Sequence, residues 1–298
     1  MVYLILALTA LTATVQNIFK QKLNERCNPS AFFFSALTSL FAMIFFIAVN
    51  TDWSYRAELL LPSTGFALAY AVATVFSVLA ILYGPLAKTS LIISCSLLIP
   101  SAYGIVVQGI MLKTTTVEEA LSPTLIIGTI LLVVTLFLVN REEKSENAEE
   151  KKVTVKWLIF VLLAFFGNGM CSVVQTAKQD FYGNDSNNVF MIVALAIVVV
   201  LLLSAAFAFR NQRVQIKETL HKGWWLALLC GGANGLTNFM VMYLNAQKFP
   251  ASVLFPVVSG GGLLLIFLWS VVIKREKFTI PQYIGYGLGV ISLVLLNL

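Results

Sequence analysis

Every long apolar run of this sequence lacks the carboxylate that proton-coupled cation pumps commonly bury. All fourteen acidic side chains (Glu25, Asp52, Glu58, Glu118, Glu119, Glu142, Glu143, Glu146, Glu149, Glu150, Asp180, Asp185, Glu218 and Glu276) fall between the runs or at their ends. Histidine is nearly missing as well: His221 stands alone and is expected in a loop, as a solvated residue. The four cysteines, Cys27, Cys95, Cys171 and Cys230, have no metal-ligand spacing, and three lie in apolar runs, so they read as packing residues. No nucleophile, base and acid come together in the sequence, and no glycine-rich phosphate loop precedes a helix. An intramembrane enzyme or a nucleotide-driven pump is therefore not expected, nor a cofactor or a metal. Charge is scarce at 11% against 59% hydrophobic residues, which is far outside the range of a water-soluble domain. The excess of basic residues consequently reads as membrane topology, with no nucleic-acid partner.

What is there is a set of ten apolar stretches: about 2–19, 31–49, 64–83, 86–111, 121–139, 157–178, 188–209, 223–246, 250–273 and 280–297. About twenty apolar residues cross a hydrocarbon core of about 30 Å, so each stretch is expected to be a membrane-spanning helix. The first, from Val2, has no basic leader or cleavage site and is expected to stay in the protein. Most prolines (Pro29, Pro62, Pro85, Pro123, Pro250, Pro281) sit where helices start, as their missing N–H allows. Only Pro100 and Pro256 fall inside spans.

The charged segment NREEKSENAEEKK, residues 140–152, separates the spans into two sets of five. The expected organisation is a first repeat over 1–139, a charged linker over 140–156 and a second repeat over 157–298. An odd number of spans per copy inserts the second copy upside down, so the fold class is all-α integral membrane, ten helices as two inverted five-helix repeats. A register shift of 162 lays Ser90, Ser94, Pro100 and Gln108 on Ser252, Pro256, Gly262 and Ser270. A shift of 157 lays LIIGTILLVVTLFL on YIGYGLGVISLVLL. Duplicated membrane units commonly hold a binding site near the midplane between them. The span after Pro250 carries Pro256 and Gly260 to Gly262, a backbone defect that must face other helices, water or a ligand. Sixteen of the twenty basic residues fall in the loops after the odd-numbered spans, and Arg56, Lys113, Lys178 and Lys248 lie on the other face. The positive-inside rule then places both termini outside.

Polar side chains in the spans fall into stripes at helical spacing. The sixth span carries Asn168, Ser172, Gln175 and Gln179, and the eighth Asn234, Asn238 and Asn245. The third has Tyr70, Thr74 and Ser77; the fourth Ser90, Ser94, Ser101 and Gln108; the ninth Ser252, Ser259 and Ser270. The first has Thr9, Thr12, Gln16 and Lys20, with Asn17 beside them. Two readings remain open: these helices line a hydrated cavity, or the polar groups join packed helices at about 0.6 to 2 kcal/mol each. The amides favour a cavity and the hydroxyls favour joining. Lys20 and Lys178 end corresponding spans. Each either snorkels to the headgroups or reaches a substrate anion, and Asp180 could neutralise Lys178. Tyr83, Tyr243 and Trp269 read as interface aromatics or cavity gates, and GYGLG (Gly285, Gly287, Gly289) as close helix packing within the protein or across a dimer.

With NIFKQKL leaving the first span, KFPASVLFPV opening the ninth and KREKFTIPQYIGYGLGVISLVLL ending the chain, the sequence resembles the drug/metabolite transporter superfamily and, within it, the ten-helix EamA-like permeases. The resemblance implies alternating access around a central site, peripheral fifth and tenth helices, and cytoplasmic termini, against the charge bias. The expected function is secondary transport of a small polar metabolite, neutral or zwitterionic, such as an amino acid, across the plasma membrane. A multidrug cation exporter, a lipid-linked sugar translocator and a non-transport membrane scaffold are the alternatives. The expected partners are the small solute and the bilayer, with the protein a monomer or a homodimer. The expected binding residues are Gln16, Asn17, Tyr70, Thr74, Ser77, Ser94, Ser101, Asn168, Ser172, Gln175, Lys178, Asn234, Asn238, Ser259 and Trp269.

Overall fold

The computed structural model describes residues 2–84, 89, 92–93, 95–96, 98–112, 123–139, 154–269 and 279–295. Among them there are helices and no strands, so the protein is all-α. The helices are α1 (Val2–Arg26), α2 (Ala31–Val49), α3 (Leu60–Tyr83, led by a 3-10 turn at Ala57–Leu59), α4 (Leu98–Tyr103, continuing as a π-helix over Gly104–Met111) and α5 (Pro123–Val139). They continue as α6 (Val155–Tyr182), α7 (Asn187–Ala208), α8 (Arg210–Ala246), α9 (Ala251–Trp269) and α10 (Ile280–Leu295). Six of them, α1, α2, α3, α6, α7 and α8, are long and apolar enough to cross a membrane. The protein is thus membrane-embedded. The linker at 140–152, Ser90, Ser94 and Ser270, and the motif KREKF lie outside the described residues.

Local chemistry sets the helix ends. Ser30 Oγ accepts the Phe33 N–H at 3.3 Å and Thr154 Oγ1 accepts the Trp157 N–H at 3.2 Å, capping α2 and α6 with the residue types that best satisfy a free first-turn donor. Gly183 ends α6 at φ +79°, a left-handed conformation that costs glycine little.

Two expectations of the sequence need correction. The fourth stretch is not one helix over 86–111: Ser96 sits in a turn, and the segment beyond Tyr103 is π-helical. Nor do Arg210 to Lys222 form a loop. They are the first turns of the 37-residue α8, so His221 is an exposed helical residue. RNQRVQIKETLHK has no proline or glycine to stop a helix, and Glu218 pairs with Lys222 at 2.8 Å one turn on. This extension is anchored to the start of α2, where Thr219 Oγ1 accepts the Ser30 N–H at 2.8 Å and Ser30 Oγ meets Gln212 Oε1 at 3.0 Å.

Close packing pairs α3 with α6, α2 with α8, α2 with α7, α1 with α8 and α5 with α10. Small residues let the backbones approach. A methyl on Gly167 would stand 2.7 Å from Ala73 N, and one on Gly231 would stand 2.5 Å from Thr38 O. The main core lies among α2, α3, α7 and α8, with Phe34, Phe46, Phe66, Phe190, Met191 and Leu195 fully buried. A second cluster, Leu6, Leu244, Leu254, Phe255 and Val258, fixes α9 against α1 and α8. In α10, Gly289 lies against Thr135 of α5 and Ser292 Oγ donates to Gly128 O at 2.6 Å, so α10 packs on α5 through this face.

Candidate functional site

Where α1, α3, α6, α8 and α9 converge, they leave a cavity of about 180 Å³. Helix α1 contributes Thr14, Gln16, Asn17 and Lys20, and α3 contributes Tyr70, Thr74 and Ser77. Asn168, Ser172 and Gln175 come from α6, Asn234, Thr237 and Asn238 from α8, and Ser259 and Gly262 from α9. Ala13, Ala73, Ile93, Cys171, Val241, Phe255 and Val258 fill the wall between them. On α3 and α6 the polar positions are spaced by four and three residues, so one face of each of these helices is presented inward.

The amides form one chain of hydrogen bonds across four helices. Gln16 Nε2 donates to Thr237 Oγ1 at 3.1 Å, while Gln16 Oε1 accepts from Asn234 Nδ2 at 2.9 Å. Asn234 Oδ1 accepts from the Tyr70 hydroxyl at 2.8 Å and from Asn238 Nδ2 at 3.0 Å. Asn238 Oδ1 in turn accepts from Gln175 Nε2 at 2.8 Å. Such a network fixes side-chain orientation, since each amide is held by the next. At the rim, Thr14 Oγ1 lies 3.3 Å from Gly262 O and Asn168 Nδ2 donates to Ser96 Oγ at 2.7 Å. Asn17 and Ser172 make no side-chain hydrogen bond to the described residues, and both are half-buried at the cavity wall.

Eleven of the fifteen sequence-derived binding residues therefore come together, as Gln16, Asn17, Tyr70, Thr74, Ser77, Asn168, Ser172, Gln175, Asn234, Asn238 and Ser259 line the cavity, and Ser94 lies outside the described residues.

Three expected site residues do not reach the cavity. Ser101 is buried in α4, which packs on α9 and α6. Trp269 is half-buried at the far end of α9, where its ring lies 6.0 Å from Lys22 Nζ, an interface pairing. Lys178 is completely buried, and its ammonium donates to Gly183 O at 2.9 Å, to Asp185 O at 2.7 Å and to Asn187 Oδ1. An ammonium has three donors, and all three close the turn between α6 and α7, leaving none for a solute. Asp180 does not neutralise it: its oxygens accept from the Tyr103 hydroxyl at 3.0 Å and from Gln108 Nε2 at 3.2 Å. Gln179 and Asn245 also leave their stripes for helix joining. Gln179 Nε2 donates to Met242 O at 2.9 Å, and Asn245 Nδ2 to Thr176 Oγ1 at 3.3 Å.

The residues missing from the expected site are Thr14, Thr237 and Lys20. Thr14 falls between two stripe positions, and Thr237 follows Asn234 by three, so its spacing was a usable signal. Lys20 follows Gln16 by one turn and enters the cavity half-buried, with Nζ 3.2 Å from Ser77 Oγ. It is the single charged residue among the described residues lining the cavity. A smaller void of about 10 Å³ shares Gln16, Lys20, Tyr70, Thr74 and Asn234 with the cavity and also touches Ser35, whose buried Oγ has no hydrogen-bond partner among the described residues. That is about the room one water needs. Among the described residues, no group of three or more histidine, cysteine and acidic side chains is placed to hold a metal.

No family model and no curated protein matches the sequence. A solved structure described as "Crystal structure of protein" is similar in fold, with a TM-score of 0.62 over 97% of this chain and 94% of that one, at 14% identity. At that identity the likeness shows the fold alone.

Proposed function

We propose that the protein is a secondary carrier of the drug/metabolite transporter type, moving a small polar metabolite across the plasma membrane by alternating access. The observation that carries this reading is the amide- and hydroxyl-lined cavity at the convergence of α1, α3, α6, α8 and α9. Polar side chains at membrane depth are costly, and ones that surround a cavity are commonly part of a solute path. The cavity is smaller than the roughly 300 to 1,000 Å³ of pockets for drug-sized ligands. It is better matched to a metabolite than to a multidrug substrate.

The same reading includes ten spans in two inverted repeats, with α1–α5 and α6–α10 as the copies. The packing pattern supports it. Exchanging each helix for the one five places along turns the α3–α6 pair into α8–α1, α2–α8 into α7–α3, and α1–α9 into α6–α4, and all of these pairs are in contact. The α2–α7, α4–α9 and α5–α10 pairs map onto themselves. Two bundles related in this way can rock about the shared cavity, so that it opens to either side in turn.

A cation exporter would be served by an anionic group at the site, and no carboxylate is among the described residues lining the cavity. A scaffold would need no cavity. The deciding experiment is solute uptake by proteoliposomes of the purified protein, screened over amino acids, organic acids, choline, nucleosides and sugar phosphates. Saturable movement of one class is expected. Absence of any movement, with scrambling of lipid-linked sugars instead, would favour the lipid translocator.

A further inference from the structure

We infer that Lys20 anchors the carboxylate of the transported solute, and that the carrier's substrate is a small organic acid bearing one net negative charge. The inference rests on the carrier reading above and narrows its substrate class. Lys20 is the sole formal charge among the described residues of the cavity wall, and none of the described carboxylates lies within ion-pair distance of it. Its ammonium has three N–H donors, and Ser77 Oγ at 3.2 Å accepts one of them. The other two meet no acceptor among the described residues, and Lys20 lines the cavity. The contrast with Lys178, whose three donors all meet protein oxygens, marks Lys20 as a lysine whose coordination is incomplete without a guest.

A cation held at this depth without a counter-charge is unfavourable, and an incoming anion removes that penalty. The remaining wall decides what kind of anion. Asn17, one turn before Lys20 on the same helix, has no partner among the described residues and can donate from its amide to a second oxygen. One ammonium and one amide suit the two oxygens of a carboxylate. A phosphate monoester, nearly doubly charged and with three oxygens to satisfy, would leave charge and acceptors unmatched against a single lysine. Nor does any described wall residue offer a carboxylate to receive the ammonium of an amino acid, so the zwitterion expected from the amides alone is the poorer fit. The row from Asn234 to Gln175 can instead take hydroxyl or oxo groups. At about 180 Å³ the cavity is below the roughly 300 to 1,000 Å³ of pockets for drug-sized ligands, which sets the solute in the range of short hydroxy and oxo acids.

The test uses purified full-length protein in proteoliposomes, with radiolabelled lactate and pyruvate as probes and alanine, choline, glycerol and inorganic phosphate as controls. Lactate or pyruvate is expected to move saturably at least tenfold faster than alanine, choline, glycerol or phosphate. In K20M, uptake should fall at least tenfold while the Tm and the elution profile in detergent stay as in the wild type. K20R should regain part of the rate, because the charge returns with altered geometry. As a second readout that does not require transport, lactate should raise the Tm of the wild type and leave that of K20M and K20Q unchanged. If alanine, choline, glycerol or phosphate is carried as well as lactate, or if K20M keeps the wild-type rate, the inference is overturned and the carrier reading stands. If no solute of any class moves and none raises the Tm, the carrier reading itself fails and takes this inference with it.

Discussion

Lys20, near the end of α1, and Lys178, near the end of α6, look alike in the sequence, yet their surroundings differ. Beyond Lys178 the helix ends at Tyr182 and the turn Gly183 to Ser186 folds carbonyls back over the ammonium, whereas NIFKQKL continues α1 as helix and leaves Lys20 against α3. Replacing Lys178 by Met should cost about 1–3 kcal/mol, because buried acceptors lose their donor, and should leave the transport rate per folded molecule unchanged. Thermal unfolding in detergent alongside proteoliposome uptake checks both parts. Asn234 is the other decisive residue, since Gln16, Tyr70 and Asn238 all bond to it. Asn234→Leu should lower uptake at least tenfold while costing no more than about 2 kcal/mol of stability, the upper range for polar contacts between membrane helices. A normal uptake rate in a folded N234L protein would count against the cavity as the solute site.

Among the elements, α6 shows how one stripe can serve two purposes. Asn168, Ser172 and Gln175 face the cavity, whereas Gln179, one turn further, is bonded to the α8 backbone. In a protein whose native cysteines are replaced, N168C and S172C should react with a hydrophilic thiol reagent, and N245C should not. Equal reactivity at all three would mean that the stripe is not divided at this turn. The contact of α6 with α3 depends on Gly167, where any side chain meets the Ala73 backbone. Gly167→Val should separate the two helices and lower stability by about 1–3 kcal/mol, read as a fall in Tm.

For the whole molecule, we propose from the distribution of basic residues that the end of the bundle carrying the start of α8 faces the cytoplasm, opposite the loop after α2. N211C should therefore be labelled only once a reagent enters the cytoplasm, and S54C from the outside, both positions being exposed. The reverse pattern would put the termini inside, as the family resemblance implies.

The sequence alone determined that the protein is helical and membrane-embedded, which side chains recur on one face of each helix, and that no acid lies within an apolar run. These are properties of composition and of period along a single chain, and they need no knowledge of a neighbour. The start of α8 was missed because charge density suggested a loop where continuous helix-forming residues extend the helix. Only the tertiary structure decided which stripes meet a cavity and which bond to another helix, and which of two similar lysines keeps free donors. Those outcomes depend on how each helix is rotated against the next, and that rotation is set by small-residue contacts such as Gly167 on Ala73 and Gly231 on Thr38.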